Sequence, residues 1–199
     1  MKFFTTLVLA FLITCSSFSQ SQTEAIEKEA QTYYDYMTNM NLDGVLDYMH
    51  PKMFDMAPKA QMKAAMEQMF NSPQMKIEFI SNTVNNISDT KKIDNVTYAV
   101  VYYNSKMRMI FLTEKDKPKE AQNDYLELMK STMAAQFGSE NVTIDADTTS
   151  LVINNNASMF AINDPQYDGW KFLSNEKNMA AFVNSIVPEA VRTALLEKE

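Results

Sequence analysis

The chain has 199 residues, with 18 Lys and Arg against 25 Asp and Glu and a formal net charge of −7. An acidic surface without a basic run repels phosphate backbones and anionic lipid, so nucleic acid is not an expected partner. Gly44, Gly138 and Gly169 are too scattered to write a G-x-G-x-x-G turn or a Walker loop, and one histidine cannot build an H-E-x-x-H zinc site.

Met1-Lys2, an apolar run from Phe3 to Ile13 and the small or polar residues from Thr14 to Ser19 follow the layout of a secretory signal peptide. The run is shorter than the roughly 20 residues that span a bilayer, and no comparable run follows, so no transmembrane segment is expected. Ser17 and Ser19 suit a signal peptidase, which predicts a signal peptide over residues 1–19 and one exported domain, periplasmic or secreted, over 20–199. Cys15 offers a competing reading as a lipid-attachment site, but Thr14 stands where that motif takes Gly, Ala or Ser. Removing the signal removes only Lys2 among the charged residues, leaving 17 basic against 25 acidic side chains, a net −8. It also removes the single cysteine, and with it disulfides, thiol nucleophiles and thiolate metal sites.

Ile26, Ala30, Tyr33, Met37 and Met40 recur at steps of three and four, predicting an amphipathic helix over 23–40 with Thr23 as its cap. Asn41 caps a second helix carrying Leu42, Val45, Leu46 and Met49, which ends at His50-Pro51. Met62, Ala65, Met66, Met69 and Phe70 predict a third, with Pro58 in its first turn and its methionine stripe facing the core. Beyond Pro73 the pattern becomes short runs of β-branched and aromatic residues: 76–84, 96–103 continuing into 106–112, 143–154, 157–162 and 170–174. Turns are expected at Asn85-Asn86, Asp94-Asn95, Asn104-Ser105, Asn154-Asn155-Asn156 and Asp164-Pro165. A fourth helix over 119–137, closed by Gly138, interrupts the strands, and a helical segment over 176–198 breaks at Pro188. The fold class is therefore α+β, with N-terminal helices packed on a curved, cone-like antiparallel sheet, an inserted helix and a C-terminal helix.

The Tyr-rich first helix, the His50-Pro51-Lys52 step into a Met-rich helix and the closing strand Gly169-Trp170-Lys171-Phe172-Leu173 resemble small secreted proteins of the nuclear transport factor 2-like superfamily, of Bacteroidetes type. The resemblance covers roughly residues 23–175. It implies a cone with an apolar cavity at its open end, where Tyr33, Met37, His50, Met66 and Tyr102 are the residues expected to meet a ligand. Sheets in this superfamily often pair face to face, which implies a homodimer. Members similar to ketosteroid isomerase place an Asp base and a Tyr oxyanion donor in the cavity, and Tyr33 to Tyr36, Tyr98, Tyr102 and Tyr103 are the groups here that such a site would draw on. No motif in the sequence assigns a catalytic role to any of them, and no cofactor is implied.

Three functions are carried forward. The first is non-enzymatic binding of a small apolar molecule or a protein partner, and the second an isomerase- or dehydratase-like activity. The third is Cu(I) binding by thioethers, since Met49, Met53 and Met56 crowd around His50 and soft sulfur ligands select Cu(I). Helical periodicity accounts for much of the methionine spacing as packing, so no metal site is assigned.

Overall fold

The computed structural model describes residues 22–196, so the expected signal segment and Cys15 lie outside the described residues. Residues 22–38 form α1, and Thr23, expected as its cap, already lies inside the helix. The chain reverses at Met40 (φ +57), and Asn41 caps α2 (Leu42–Tyr48) by accepting from the Gly44 N–H at 3.2 Å. Gly44 lets the helices approach: a Cβ there would stand 2.5 Å from the Tyr36 ring. His50-Pro51 then ends α2 and opens a 3-10 turn, Pro51–Asp55, ahead of α3 (Lys59–Phe70).

The methionine stripe of α3 does not face the core. Phe70 is its one buried residue, Met62 and Met66 are half-buried and Met69 is 48% exposed. The reason is placement: α3 packs chiefly on α2, tied by the ion pairs Lys59–Asp47 and Lys63–Asp43, and meets the sheet chiefly at β1.

The sheet comprises β1 (Met75–Ile87), β2 (Lys91–Ile93), β3 (Val96–Phe111), β4 (Val142–Asp145), β5 (Ser150–Asn163) and β6 (Lys171–Ser174). It is antiparallel, curved and unclosed, in the order β1-β3-β5-β4, with β2 also beside β3 and β6 also beside β5. Asp94-Asn95 turns as expected, with both residues at positive φ (+49, +67), the mirror-image hairpin that suits twisted strands. Three other expected turns lie within strands instead. Asn104 faces Asn156 in the β3–β5 register, and its amide donates to Asn154 Oδ1 at 2.8 Å and Asn156 Oδ1 at 2.9 Å, so the asparagines satisfy one another. The β4–β5 turn falls at residues 146–149, where Asp145 Oδ1 accepts from the Thr148 N–H at 3.3 Å. Asn85-Asn86 sits at one of two irregularities in β1, the other lying between Phe79 and Ser81.

The two halves of β3 differ, and the difference sets the architecture. Tyr98, Ala99, Val100 and Val101 are all buried, so this half is covered on both faces. Further on, Met107, Met109 and Phe111 point inward while Asn104, Lys106 and Arg108 alternate with them. α1 covers Ala99, Val101, Met159 and Ala161 on the inner face. The inserted helix α4 (Lys119–Phe137) lies further along that same face against Phe111, Leu151 and Ile153, ending at Gly138 (φ +89). α5 (Ala180–Ile186) and α6 (Glu189–Leu196), separated at Pro188, cover Tyr98, Val100, Phe160 and Ile162 on the outer face. Among the described residues no helix is long and apolar enough to cross a membrane.

Candidate ligand cavity

Between the footprints of α1 and α4, the inner face carries a partly open cavity of about 220 Å³. α1 supplies Tyr33, Tyr34 and Met37, and the step from α2 into the 3-10 turn supplies Met49 and Met53. That step is held against the sheet by the His50 N–H, which donates to the Phe172 carbonyl at 2.9 Å. The floor comes from Phe79 and Asn82 of β1, Tyr103, Ser105 and Met107 of β3, and Asn155 and Met159 of β5. Phe172 to Ser174 and Glu176 close one side. Five methionines thus surround the space, giving an apolar wall that adapts its shape.

Three tyrosines converge on it. The rings of Tyr33 and Tyr34 pack edge to face with centroids 5.2 Å apart, and those of Tyr34 and Tyr103 lie 4.8 Å apart. The Tyr34 hydroxyl donates to Met159 Sδ at 3.4 Å, beside the Tyr103 ring. Burial, reinforced by the Tyr103 hydroxyl, pushes the Tyr33 and Tyr34 pKa values well above the ordinary phenol range, and burial likewise raises Tyr103. All three therefore stay protonated and neutral at physiological pH.

Of the residues expected at a cavity, Tyr33 and Met37 line this one and the other three lie elsewhere. Tyr102 points to the outer face, beside Leu195 in a separate surface hollow. Met66 belongs to α3, where it is half-buried, and is not part of this lining. His50 is only 3% exposed, but its Nδ1 accepts from the Lys52 N–H at 3.3 Å and its ring meets Tyr167 edge-on. Burial, helped by the Lys52 charge and opposed by Asp164, lowers its pKa to about 4, so the imidazole is a neutral cap. The methionines grouped with it also separate: Met49 and Met53 line the cavity, whereas Met56 is 60% exposed. Among the described residues no cluster of three His, Cys, Asp or Glu side chains could hold a metal ion.

Several lining residues were not singled out from the sequence, chiefly Asn82, Ser105 and Asn155. The signal was present in β3, where Ser105 breaks the inward row Val101, Tyr103, Ser105, Met107, Met109. A larger hollow of about 760 Å³ between α2, α3 and β1 is an open groove edged by Asp43, Lys63, Glu67, Lys76 and Glu78. Four of its charged groups pair, as Lys63–Asp43 and Lys76–Glu78, each at 2.7 Å, and the buried residues of its lining, Leu42 and Phe70, are apolar. No protein-family model matches the chain, and no curated protein matches it in sequence.

Proposed function

We propose that this chain is an exported, non-enzymatic domain of the nuclear transport factor 2-like type that binds a small, mainly apolar molecule in the cavity between α1 and the sheet. The observation that carries this reading is the convergence of the Tyr33, Tyr34 and Tyr103 side chains on a space walled mainly by methionine and phenylalanine, with a few polar groups in its floor and rim. An apolar enclosure with a few fixed polar groups is the usual make-up of a ligand site. About 220 Å³ accommodates roughly ten non-hydrogen atoms, which points to a single-ring or short-chain ligand. An isomerase-like reading needs a base inside the enclosure beside a tyrosine. The one carboxylate in the lining, Glu176, is exposed to solvent, and His50 is committed to capping, so binding is the better reading.

The test is native mass spectrometry of the mature protein purified from the exported fraction without added ligand. Retained small-molecule mass that disappears in a cavity-filling Met49→Trp variant supports the reading. A bare mass, together with no thermal shift on adding small aromatic probes, counts against it.

A further inference from the structure

The floor of the cavity holds a feature that apolar binding does not use. In the sheet register Asn82 stands opposite Ser105, and Ser105 opposite Asn155, so three neighbouring strands place one polar side chain each in a single rung. The rungs on either side are Val84-Tyr103-Ala157 and Phe79-Met107-Ile153. One polar rung therefore crosses the inner face between apolar and aromatic rungs. Asn82 and Ser105 are well shielded, at 8% and 6% exposed, and Asn155 is half-buried.

Its hydrogen bonding is incomplete. The Asn82 amide donates to Thr38 Oγ1 at 2.9 Å. Among the described residues nothing pairs with Asn82 Oδ1, with the Ser105 hydroxyl or with the Asn155 side-chain amide, although all three residues line the cavity. These free groups are not sealed inside the protein, since among the described residues the buried side-chain polar atom without a partner is Arg108 Nε, and polar atoms that line a cavity keep water until a ligand replaces it. Here they face open space rather than protein, the arrangement expected where a bound molecule completes the set.

Resting on the binding reading above, we propose that the ligand is an uncharged molecule with an apolar body and a carboxamide-like head, and that Asn82, Ser105 and Asn155 read that head. The rung offers donors and acceptors side by side: a free amide oxygen on Asn82, a hydroxyl on Ser105 that does either, and both groups of the Asn155 amide. A neutral head that also donates and accepts matches it. A carboxylate or ammonium head would be stripped of water with no buried opposite charge to meet it. The body then lies among Met107, Met159 and the aromatic rings.

The probes are benzamide, benzoate and toluene, which share a ring and differ in the head. Their affinities for the mature protein, measured by ligand-observed NMR titration, should favour benzamide by about tenfold or more over the other two. Ser105→Ala with Asn155→Leu should remove that preference and improve toluene, and Ser105→Ala alone, the milder change, should lose about threefold for benzamide. If toluene binds the unmodified protein as well as benzamide, or if the preference survives in both variants, the rung does not read the head and this proposal falls while the apolar cavity stands. If benzoate is preferred, the neutral-head argument is wrong. If none of the three binds, both this proposal and the binding reading fail.

Discussion

Ser105 and Asn155 set polar groups without a protein partner between apolar and aromatic neighbours on the inner face, open to the cavity. Replacing half-buried Asn155 with leucine removes no protein hydrogen bond and adds apolar surface there, so stability in urea unfolding should be unchanged or raised by up to about 1 kcal/mol while benzamide binding weakens. A fall in stability instead would mean that the rung is structural. His50 makes a different kind of contribution, because its neutral form is the one the fold uses. With a folded pKa of about 4 against an ordinary value near 6.5, the unfolded chain takes up a proton between those pH values and the folded chain does not. Its contribution is thus present above pH 6.5 and declines as pH falls toward 4. His50→Asn keeps a side-chain oxygen that can accept the Lys52 N–H but does not titrate. The stability difference between wild type and this variant should shift against wild type on acidification, by on the order of 2 kcal/mol. Parallel urea midpoints at pH 7.5 and pH 4.5 would show it, and equal differences at both would refute it.

At the level of elements, the order of helices and strands was legible because periodicity changes sharply at Pro73, and again at residues 119–137. Strand lengths were less so. Asparagine clusters read as turns, but Asn104, Asn154 and Asn156 bond across the β3–β5 ladder and let both strands continue. The cavity was partly legible for a related reason. Tyr102 and Tyr103 adjoin a run of β3 buried on both faces, where no alternation tells which of two neighbours points inward. In β1 the difficulty lies in the bulges: Phe79, Asn82, Val84 and Ile87 share the inner face at spacings of three, two and three. Simple alternation would have put Ser81 and Thr83 there instead. The bulge makes a specific demand. Ile80 is the unpaired residue between Phe79, opposite Met107, and Ser81, opposite Lys106, and it is 43% exposed. Deleting it should preserve every later pairing and cost under about 2 kcal/mol, since little is buried and only the local bend is lost. Deleting Thr83 should be far more damaging, because Val84 would turn outward. Urea unfolding of the two deletions separates them, and equal losses would show that the bulge does not set the register.

The whole molecule is organised by one sheet covered unequally on its two faces. The inner face is shared by α1 and α4 with the cavity between their footprints, so its site exists because neither helix extends over Ser105. The outer face depends on a different part of the chain. Val100, Phe160 and Leu173 are almost wholly buried, at 0%, 0% and 1% exposure, and they are packed with Val183, Val187, Val191 and Leu195 from the C-terminal helices. α6 is amphipathic, with Val191 and Leu195 four residues apart on one stripe and Glu189, Arg192 and Thr193 outside it. Burying two such side chains contributes roughly 3–6 kcal/mol, a large share of the 5–15 kcal/mol that typically holds a domain together. Val191→Asp with Leu195→Asp should therefore lift α6 off the sheet, lower the urea midpoint steeply and uncover an apolar patch around Val100 and Phe160. That patch should drive concentration-dependent association in sedimentation velocity, a behaviour the wild-type chain would not share through this face because α6 covers it. If the double variant stays as stable and as dispersed as wild type, then the C-terminal helix is dispensable and the outer face must be protected by other means. If it loses stability but still binds benzamide when stabilised by an osmolyte, the two faces act independently, as their separate packing clusters imply.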